Sequence, residues 1–291
     1  MGSLKTLAYA GAVAMVASSA LFAAPASAAD LGAPPIMAPP PPPPMVDGMS
    51  GLYLRGDIGV GVMSSASMKS TLGPTIVAPN YMVDKYSFDN VAFAGVGVGY
   101  QFNSFLRFDV TGEYRTTSKF SAFDSFNGTS FGMPCIKCYN LYSSSIDSSN
   151  LMANAYIDLG TWSGLTPYVG AGIGFAHHKV SGLQDVGVAA TIGGFGYAAD
   201  TSQTNFAWAL MAGVGMQVTR NLTMDLGYRY MNMGSVDTNA IHCVLGNGLP
   251  NPNWCSRHTY DVNSHDVKIG FRYMFGGDVA PAPAAPLIRK F

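Results

Sequence analysis

The sequence predicts an all-β protein, an eight-stranded antiparallel up-and-down transmembrane β-barrel. Eight segments alternate apolar residues with polar residues or glycine at a period of two, as strands do when one face meets hydrocarbon. The links between these segments are alternately short and long. Only 11% of residues are charged, and no segment beyond the N-terminus reaches the about 18 uninterrupted apolar residues of a spanning helix.

Residues 1–28 have the pattern of a secretory signal peptide. Lys5 precedes an apolar run over 7–23, and Ala26-Ser27-Ala28 supplies a small-residue cleavage site. The alternative is a membrane anchor, but the run is shorter than the about 20 residues of a spanning helix. The sequence therefore predicts export.

Residues 29–50 form a proline-rich linker with an unbroken run from Pro39 to Pro44. Such a run is extended as polyproline II and cannot join a β-ladder. We expect a periplasmic spacer. The formal net charge of -1 argues against a nucleic-acid partner, which would need a basic face.

The predicted barrel occupies residues 51–275, and 276–291 form a tail rich in proline and alanine. The predicted strands are 51–62, 90–101, 105–115, 150–160, 166–177, 204–217, 222–232 and 266–275. An antiparallel sheet with one apolar face also occurs in soluble sandwiches and lipocalin-like barrels. That alternative would leave a glycine-rich face to water, so a barrel in lipid is favoured.

The connections favour the membrane barrel as well. Short links are predicted at 102–104, 161–165 and 218–221, and long polar loops at 63–89, 116–149, 178–203 and 233–262. Bacterial outer-membrane barrels have tight periplasmic turns and long external loops. Both chain termini are therefore expected in the periplasm.

The inward face of the predicted barrel is charged. Its residues are Arg55, Asp57, Arg107, Asp109, Glu113, Arg115, Asp158, Asp225, Arg229, Lys268 and Arg272. In a ring of eight strands, the third and fourth stand opposite the seventh and eighth, so these charges can pair across the lumen. Inward glycines on other strands leave room for long side chains. A barrel this small is filled by its own side chains, so we expect a plugged lumen, with a selective ion path as the alternative.

Four segments carry a family resemblance: 52–59 (LYLRGDIG), 166–174 (TPYVGAGIG), 225–230 (DLGYRY) and 267–275 (VKIGFRYMF). With the signal peptide, they resemble the small alphaproteobacterial outer-membrane barrels of the opacity-protein and porin-family type, similar in fold to the barrel of outer membrane protein A. The resemblance covers about residues 50–275. It implies a place among outer-membrane lipid and lipopolysaccharide, and a role in envelope integrity, adhesion to a host or surface ligand through the loops, or passage of small solutes.

The end of the barrel departs from this family, whose members commonly finish at the last aromatic residue. The alternating face expected to be read by the barrel-assembly machinery comprises Val267, Ile269, Phe271, Tyr273 and Phe275. Phe291 also ends the chain on an aromatic, but the residues before it do not alternate. Phe275 is therefore the expected signal residue.

All four cysteines lie in predicted external loops: Cys135, Cys138, Cys243 and Cys255. An oxidising compartment favours disulfides, and four cysteines allow three pairings. The most local pairing joins Cys135 to Cys138 and Cys243 to Cys255. Zinc would need all four ligands to converge, so no metal and no cofactor is expected.

Two further functions remain open. Relatives in the resembled family include haem-binding barrels, and His178 and His258 could meet above the rim. Some outer-membrane barrels modify lipid A with a His and a Ser, and His178 lies near Ser181 and Asp185. No spacing typical of an activated nucleophile accompanies them. The sequence therefore predicts a non-enzymatic surface barrel, with a narrow porin as its rival.

Overall fold

The computed structural model describes residues 50–65, 68–72, 82–130, 133–188, 194–244 and 256–275. The predicted signal peptide, most of the linker and the tail after Phe275 lie outside these ranges. The strands are β1 (Gly51–Ser64), β2 (Met68–Leu72), β3 (Met82–Phe88), β4 (Val91–Gln101), β5 (Leu106–Ser130), β6 (Met133–Asp158), β7 (Leu165–Val188), β8 (Phe195–Tyr197), β9 (Thr201–Gln217), β10 (Leu222–Asp237), β11 (His242–Val244) and β12 (Ser256–Met274).

Eight strands close into a ring in the order β1, β4, β5, β6, β7, β9, β10 and β12. Every neighbouring pair is antiparallel, and β12 pairs with β1 from Tyr53↔Met274 to Ser64↔Asn263. Closure pairs the backbone groups of both sheet edges, which lipid requires because it offers them no partner. The predicted all-β eight-stranded barrel is confirmed.

No helix in the described part of the chain is long and apolar enough to cross a membrane.

The apolar face of each predicted strand points outward. On β12, for example, Val267, Ile269, Phe271 and Tyr273 are each about half exposed, whereas Lys268 is buried. The outward apolar residues form a band around the barrel, from Leu165 to Phe175 on β7. Rings gather at its outer end, where Tyr230 contacts both Trp208 and His265.

The four long external loops were predicted wrongly, because strands occupy much of them. β5 continues to Ser130 and β6 resumes at Met133, so the predicted loop 116–149 is mostly a paired hairpin. β7 likewise extends to Val188, and β12 begins at Ser256. The short strands β2 and β3 fall within the predicted loop 63–89, β8 within 178–203 and β11 within 233–262.

The strands can continue past the apolar band because the two faces of the sheet exchange their character there. There the inward side chains are apolar and the outward ones polar, as in a soluble sheet. We call the buried apolar cluster inside this part of the barrel the outer core. Its members include Met63, Val91, Phe120, Ala122, Tyr142, Ile146, Val180, Leu183, Met233, Val236, Ile241, Tyr260 and Val262. Phe120 and Tyr260 stack within it with their ring centroids 4.6 Å apart.

Candidate functional site: the charged lumen

The centre of the barrel holds a network of four charged side chains from three strands. Arg229 on β10 donates to both oxygens of Glu113 on β5, at 3.0 and 2.7 Å. Arg115 donates to Asp266 at 2.6 Å and to Glu113 at 2.9 Å. Arg229 Nε also donates to Asp266, at 2.8 Å. Each carboxylate is thus shared by two guanidinium groups, a geometry that favours charge-assisted hydrogen bonds.

A second network lies nearer the predicted periplasmic turns. Arg55 donates to Asp109 at 2.6 Å and to Asp57 at 2.8 Å. Lys268 Nζ lies 3.7 Å from the same Asp57 oxygen. Asn154 donates to the other oxygen of Asp109, at 2.7 Å. Buried charges are stable only when they are paired and hydrogen-bonded, and these contacts supply both.

Two further ion pairs complete the lumen. Arg107 Nε donates to Asp158 at 3.1 Å, and its guanidinium contacts the rings of both Tyr156 and Tyr168, 4.2 and 4.6 Å from their centroids. Arginine stacks well in this way because its charge is delocalised and weakly hydrated. Arg272 forms two hydrogen bonds to Asp225, at 2.6 and 3.1 Å.

The structure places all eleven predicted charged residues inside the barrel and adds Asp266. Sequence reasoning missed Asp266 because it stood at the first position of the predicted last strand. The signal that could have found it is the alternation along the strand, because Asp266 lies on the same inward face as Lys268 and Arg272. With it, the two networks and the two further ion pairs contain six bases and six acids among the described residues, and each has an ion-pair partner.

The inward glycines make room for tyrosine rings as well as for arginines. A Cβ at Gly213 would lie 2.5 Å from the hydroxyl of Tyr168, and one at Gly170 would lie 2.5 Å from the ring of Tyr156. A Cβ at Gly61 would lie 3.0 Å from Arg115 Nη1. Glycine is needed at these places because the neighbouring side chains occupy the space of a Cβ. The buried tyrosines were not predicted as part of the site.

The lumen has different environments at its two ends. At the end with the short turns, a polar vestibule of about 350 Å³ reaches Tyr53, Asp158 and Arg272. Above it lie the charge networks, and above these the apolar outer core. A solute entering from the turns would therefore meet ion pairs first and then apolar side chains.

Both ring nitrogens of His178 have partners other than those that the alternative functions require. His178 Nδ1 is hydrogen-bonded to Ser148 at 2.8 Å, and Nε2 lies 3.1 Å from the carbonyl oxygen of Met233. Burial lowers the pKa of His178, and it lowers the pKa of His258 to about 4. Ser181, predicted as a partner, pairs with Ser145 in the β6–β7 ladder instead. Among the described residues no group of three or more His, Cys, Asp or Glu is suited to a metal ion.

Asp185, the third residue of that predicted set, is partly buried on β7, in the part of the barrel beyond the apolar band. Its Oδ1 is buried and has no hydrogen-bond partner among the described residues. Burial, with a smaller contribution from Asp124, raises the pKa of Asp185 to about 7. Asp185 is therefore a carboxyl that burial keeps partly protonated near neutral pH, and the two ring nitrogens of His178 have Ser148 and the Met233 carbonyl as partners.

The cysteines are described in part. Cys138 is buried and disulfide-bonded, and Cys243 lies half-buried on β11, facing the outer core. The side chain of Cys135 and all of Cys255 lie outside what the structure describes. The pairing of Cys135 with Cys138 and of Cys243 with Cys255 therefore stays a prediction.

The predicted assembly face is an outward row at the end of β12. Its five residues, Val267, Ile269, Phe271, Tyr273 and Phe275, are 44–52% exposed. Tyr273 and Phe275 contact each other edge to face, with ring centroids 5.4 Å apart. Their role in assembly stays a prediction.

A closed ring of eight strands with an apolar outside and a charged inside defines an outer-membrane β-barrel protein. The chain belongs to the outer membrane protein beta-barrel domain family, whose model matches residues 14–275.

Several known proteins are similar to this chain. An uncharacterised protein of Brucella suis biovar 1 is 33% identical over 269 residues, which cover 86% of this chain and 93% of that protein. The opacity protein opA67 of Neisseria gonorrhoeae is 23% identical over 207 residues, 62% of this chain and 76% of its own. The crystal structure of Neisserial surface protein A has 19% identity and a TM-score of 0.41, covering 78% of this chain and 98% of its own. The predicted resemblance to opacity-type outer-membrane barrels is confirmed.

Proposed function

We propose that this chain is a non-enzymatic surface protein of the outer membrane that contributes to adhesion, and that its lumen passes no solute. The proposal rests on one observation: the interior of the barrel is filled at two levels. The charge networks around Glu113 and Asp109 fill the middle, and the outer core fills the external half. A wall that conducts nothing serves as a rigid scaffold for whatever stands above it.

The part above the membrane supports a role at the surface. β5 and β6 form a hairpin that continues about fifteen residues beyond the apolar band, or roughly 45–50 Å of strand at about 3.3 Å per residue. Paired backbone holds such a surface in one shape, which lowers the entropy lost when a partner binds. The family membership supports the same setting, with lipid and lipopolysaccharide around the wall.

The orientation follows from the connections. The short links after β4, β6 and β9, together with both chain ends, would face the periplasm, and the long hairpins would face outward. The barrel-assembly machinery is the further partner that such a chain needs.

The buried state of His178 argues against the lipid A-modifying alternative. His178 and Ser148 are 0% and 4% exposed. The ester bond of a lipid substrate therefore cannot approach the Ser148 hydroxyl that is hydrogen-bonded to His178. The imidazole Nε2 faces the carbonyl oxygen of Met233, which leaves no carboxylate to orient it.

A narrow porin is the second candidate, favoured by the polar vestibule at the turn end. It requires the ion pairs and the outer core to move aside together. Adhesion requires no such rearrangement.

Deleting the gene tests the proposed role. Adhesion predicts that the deletion strain attaches less to cultured host cells and that the full-length gene restores attachment. A role in envelope integrity predicts greater sensitivity to detergent with unchanged attachment. Unchanged attachment and unchanged sensitivity would contradict both.

A further inference from the structure

The extracellular wall carries an exposed apolar stripe on its outer face. It crosses five strands through consecutive register partners: Phe123↔Leu141, Leu141↔Val186, Val186↔Phe195 and Phe195↔Val244. Leu141, Val186 and Phe195 are 46%, 38% and 43% exposed. Among the described residues, an apolar row thus interrupts the polar face of this outer wall.

Aromatic rings widen the stripe. Phe123 stacks on Tyr139 with ring centroids 5.2 Å apart and planes at 13°. Tyr197, 49% exposed, lies beside Phe195 on β8, with ring centroids 6.2 Å apart. Rigid aromatic side chains give large contact area at low entropic cost and are enriched in protein interfaces.

Lipid does not cover the stripe, because a polar belt separates it from the apolar band. On β6 the outward residues between Leu141 and Leu151 are Ser143, Ser145, Asp147 and Ser149. On β7, Val186 lies eleven residues beyond Phe175, or about 36 Å of strand at about 3.3 Å per residue. The stripe therefore stands above the lipid surface.

A permanent dimer does not account for it. Whole aromatic side chains have roughly 150–250 Å² each, aliphatic ones have less, and the members of the stripe are at most about half exposed, so its exposed area is on the order of 400 Å². A stable interface buries about 800 Å² on each partner. A glycan is disfavoured too, because the five residues of the row itself, Phe123, Leu141, Val186, Phe195 and Val244, have no polar side-chain atom, and hydroxyls enter the stripe with the flanking Tyr139 and Tyr197.

We propose that this stripe is a docking surface for an apolar, aromatic-rich segment of another protein, bound transiently at the cell surface. The inference rests on the proposed adhesive function and names its contact site and the chemistry of its partner. Burying an exposed row of this kind supplies the hydrophobic driving force, and the polar rows beside it, such as Ser121, Ser143 and Gln184, supply the rim.

Selection from a random peptide library tests the proposal with the full mature chain in lipid nanodiscs as bait. The triple variant Leu141→Thr, Val186→Thr, Phe195→Thr keeps strand-forming residues but removes the apolar row. The matched control is Ser121→Thr, Ser143→Thr, Gln184→Thr, which changes the adjacent register row. The single variant Phe195→Ser serves as well if the triple variant does not fold.

The expected result is enrichment of peptides with aromatic and aliphatic residues, whose affinity falls at least tenfold on the stripe variants and less than twofold on the control. Enriched peptides that bind all variants equally, or no enrichment above empty nanodiscs, would overturn the docking surface. Wild-type nanodiscs that pair with one another through the stripe would overturn it in favour of self-association. Enrichment together with unchanged attachment of the deletion strain would refute adhesion and leave the docking surface standing.

Discussion

Arg229 on β10 reaches Glu113 on β5 from the diametrically opposite side of the ring, and the two side chains share two hydrogen bonds of 3.0 and 2.7 Å. The span is possible because the barrel is narrow and because neighbouring positions such as Gly227 have no side chain. The two side chains meet between opposite walls of the barrel. At this level, side chains joined by ion pairs therefore fill the lumen.

Asp266 is expected to be the most sensitive carboxylate of this network. Replacing it by Asn removes an acceptor from both Arg115 and Arg229 and leaves buried positive charge in excess. Breaking a buried pair costs about 3–5 kcal/mol. Thermal unfolding in detergent micelles, followed by circular dichroism, measures the loss.

The control is Asp261→Asn on the same strand, where the carboxylate meets Ser235 on the exposed face. It should change the free energy of unfolding by less than about 1 kcal/mol. Equal effects of the two substitutions would mean that the buried network adds nothing to stability.

Gly213→Ala is predicted to destabilise the barrel by about 1–3 kcal/mol, because the new methyl overlaps the Tyr168 hydroxyl and forces the ring to move. Gly112→Ala is the matched control, since nothing lies within 4 Å of a Cβ there. Adding Tyr168→Phe to Gly213→Ala should recover part of the loss. If Gly213→Ala and Gly112→Ala lower the free energy of unfolding equally, the Tyr168 ring can move away from the new methyl group at no cost, which would contradict the prediction.

Phe275→Ala is expected to lower the amount of folded protein in the outer-membrane fraction several-fold, whereas Phe291→Ala should not. Phe275 continues the outward row of β12, and its amide hydrogen-bonds to Leu52 at 2.9 Å. Fractionation and immunoblotting of matched cultures give the comparison. The opposite ranking would move the assembly signal to the end of the tail.

Asp185→Asn should stabilise the extracellular wall at pH 8. The carboxyl has a folded pKa of about 7 against about 4 in an unfolded chain. The folded state therefore holds the proton more tightly, and its stability falls as the pH rises from about 4 to about 7. Asn has no charge to bury, so its advantage should be full at pH 8 and shrink toward pH 4.

Hydrogen exchange of β7 and β8 at pH 8 and pH 5, corrected for the intrinsic rate, measures this advantage. Asp200→Asn, on an exposed carboxyl, is the control. An advantage of the same size at both pH values would refute burial as its cause.

The membrane-spanning part of the fold could be predicted because its period of two is unbroken within each strand. From Leu106 to Tyr114, for example, even positions face out and odd positions face in. This alternation alone predicts which charged residues point into the lumen. The order of the strands then predicts which of them face each other from opposite walls.

The part of the barrel beyond the apolar band could not be predicted, because bulges shift the alternation of inward and outward positions. On β5 the register steps from Arg115 to Ser118, after which even positions face inward. On β10 a similar step between Asn232 and Ser235 moves the inward set from Met233 to Val236. A bulge interrupts the alternation of apolar and polar residues. The apolar residues of one face then look irregularly spaced within a polar segment, and the sequence predicts a loop.

The conductance of the purified mature chain in planar lipid bilayers tests the closed lumen most directly. The account predicts no steady channel, and occasional openings at most, because six acids and six bases are paired beneath an apolar outer core. A large, steady conductance that admits small solutes would contradict it.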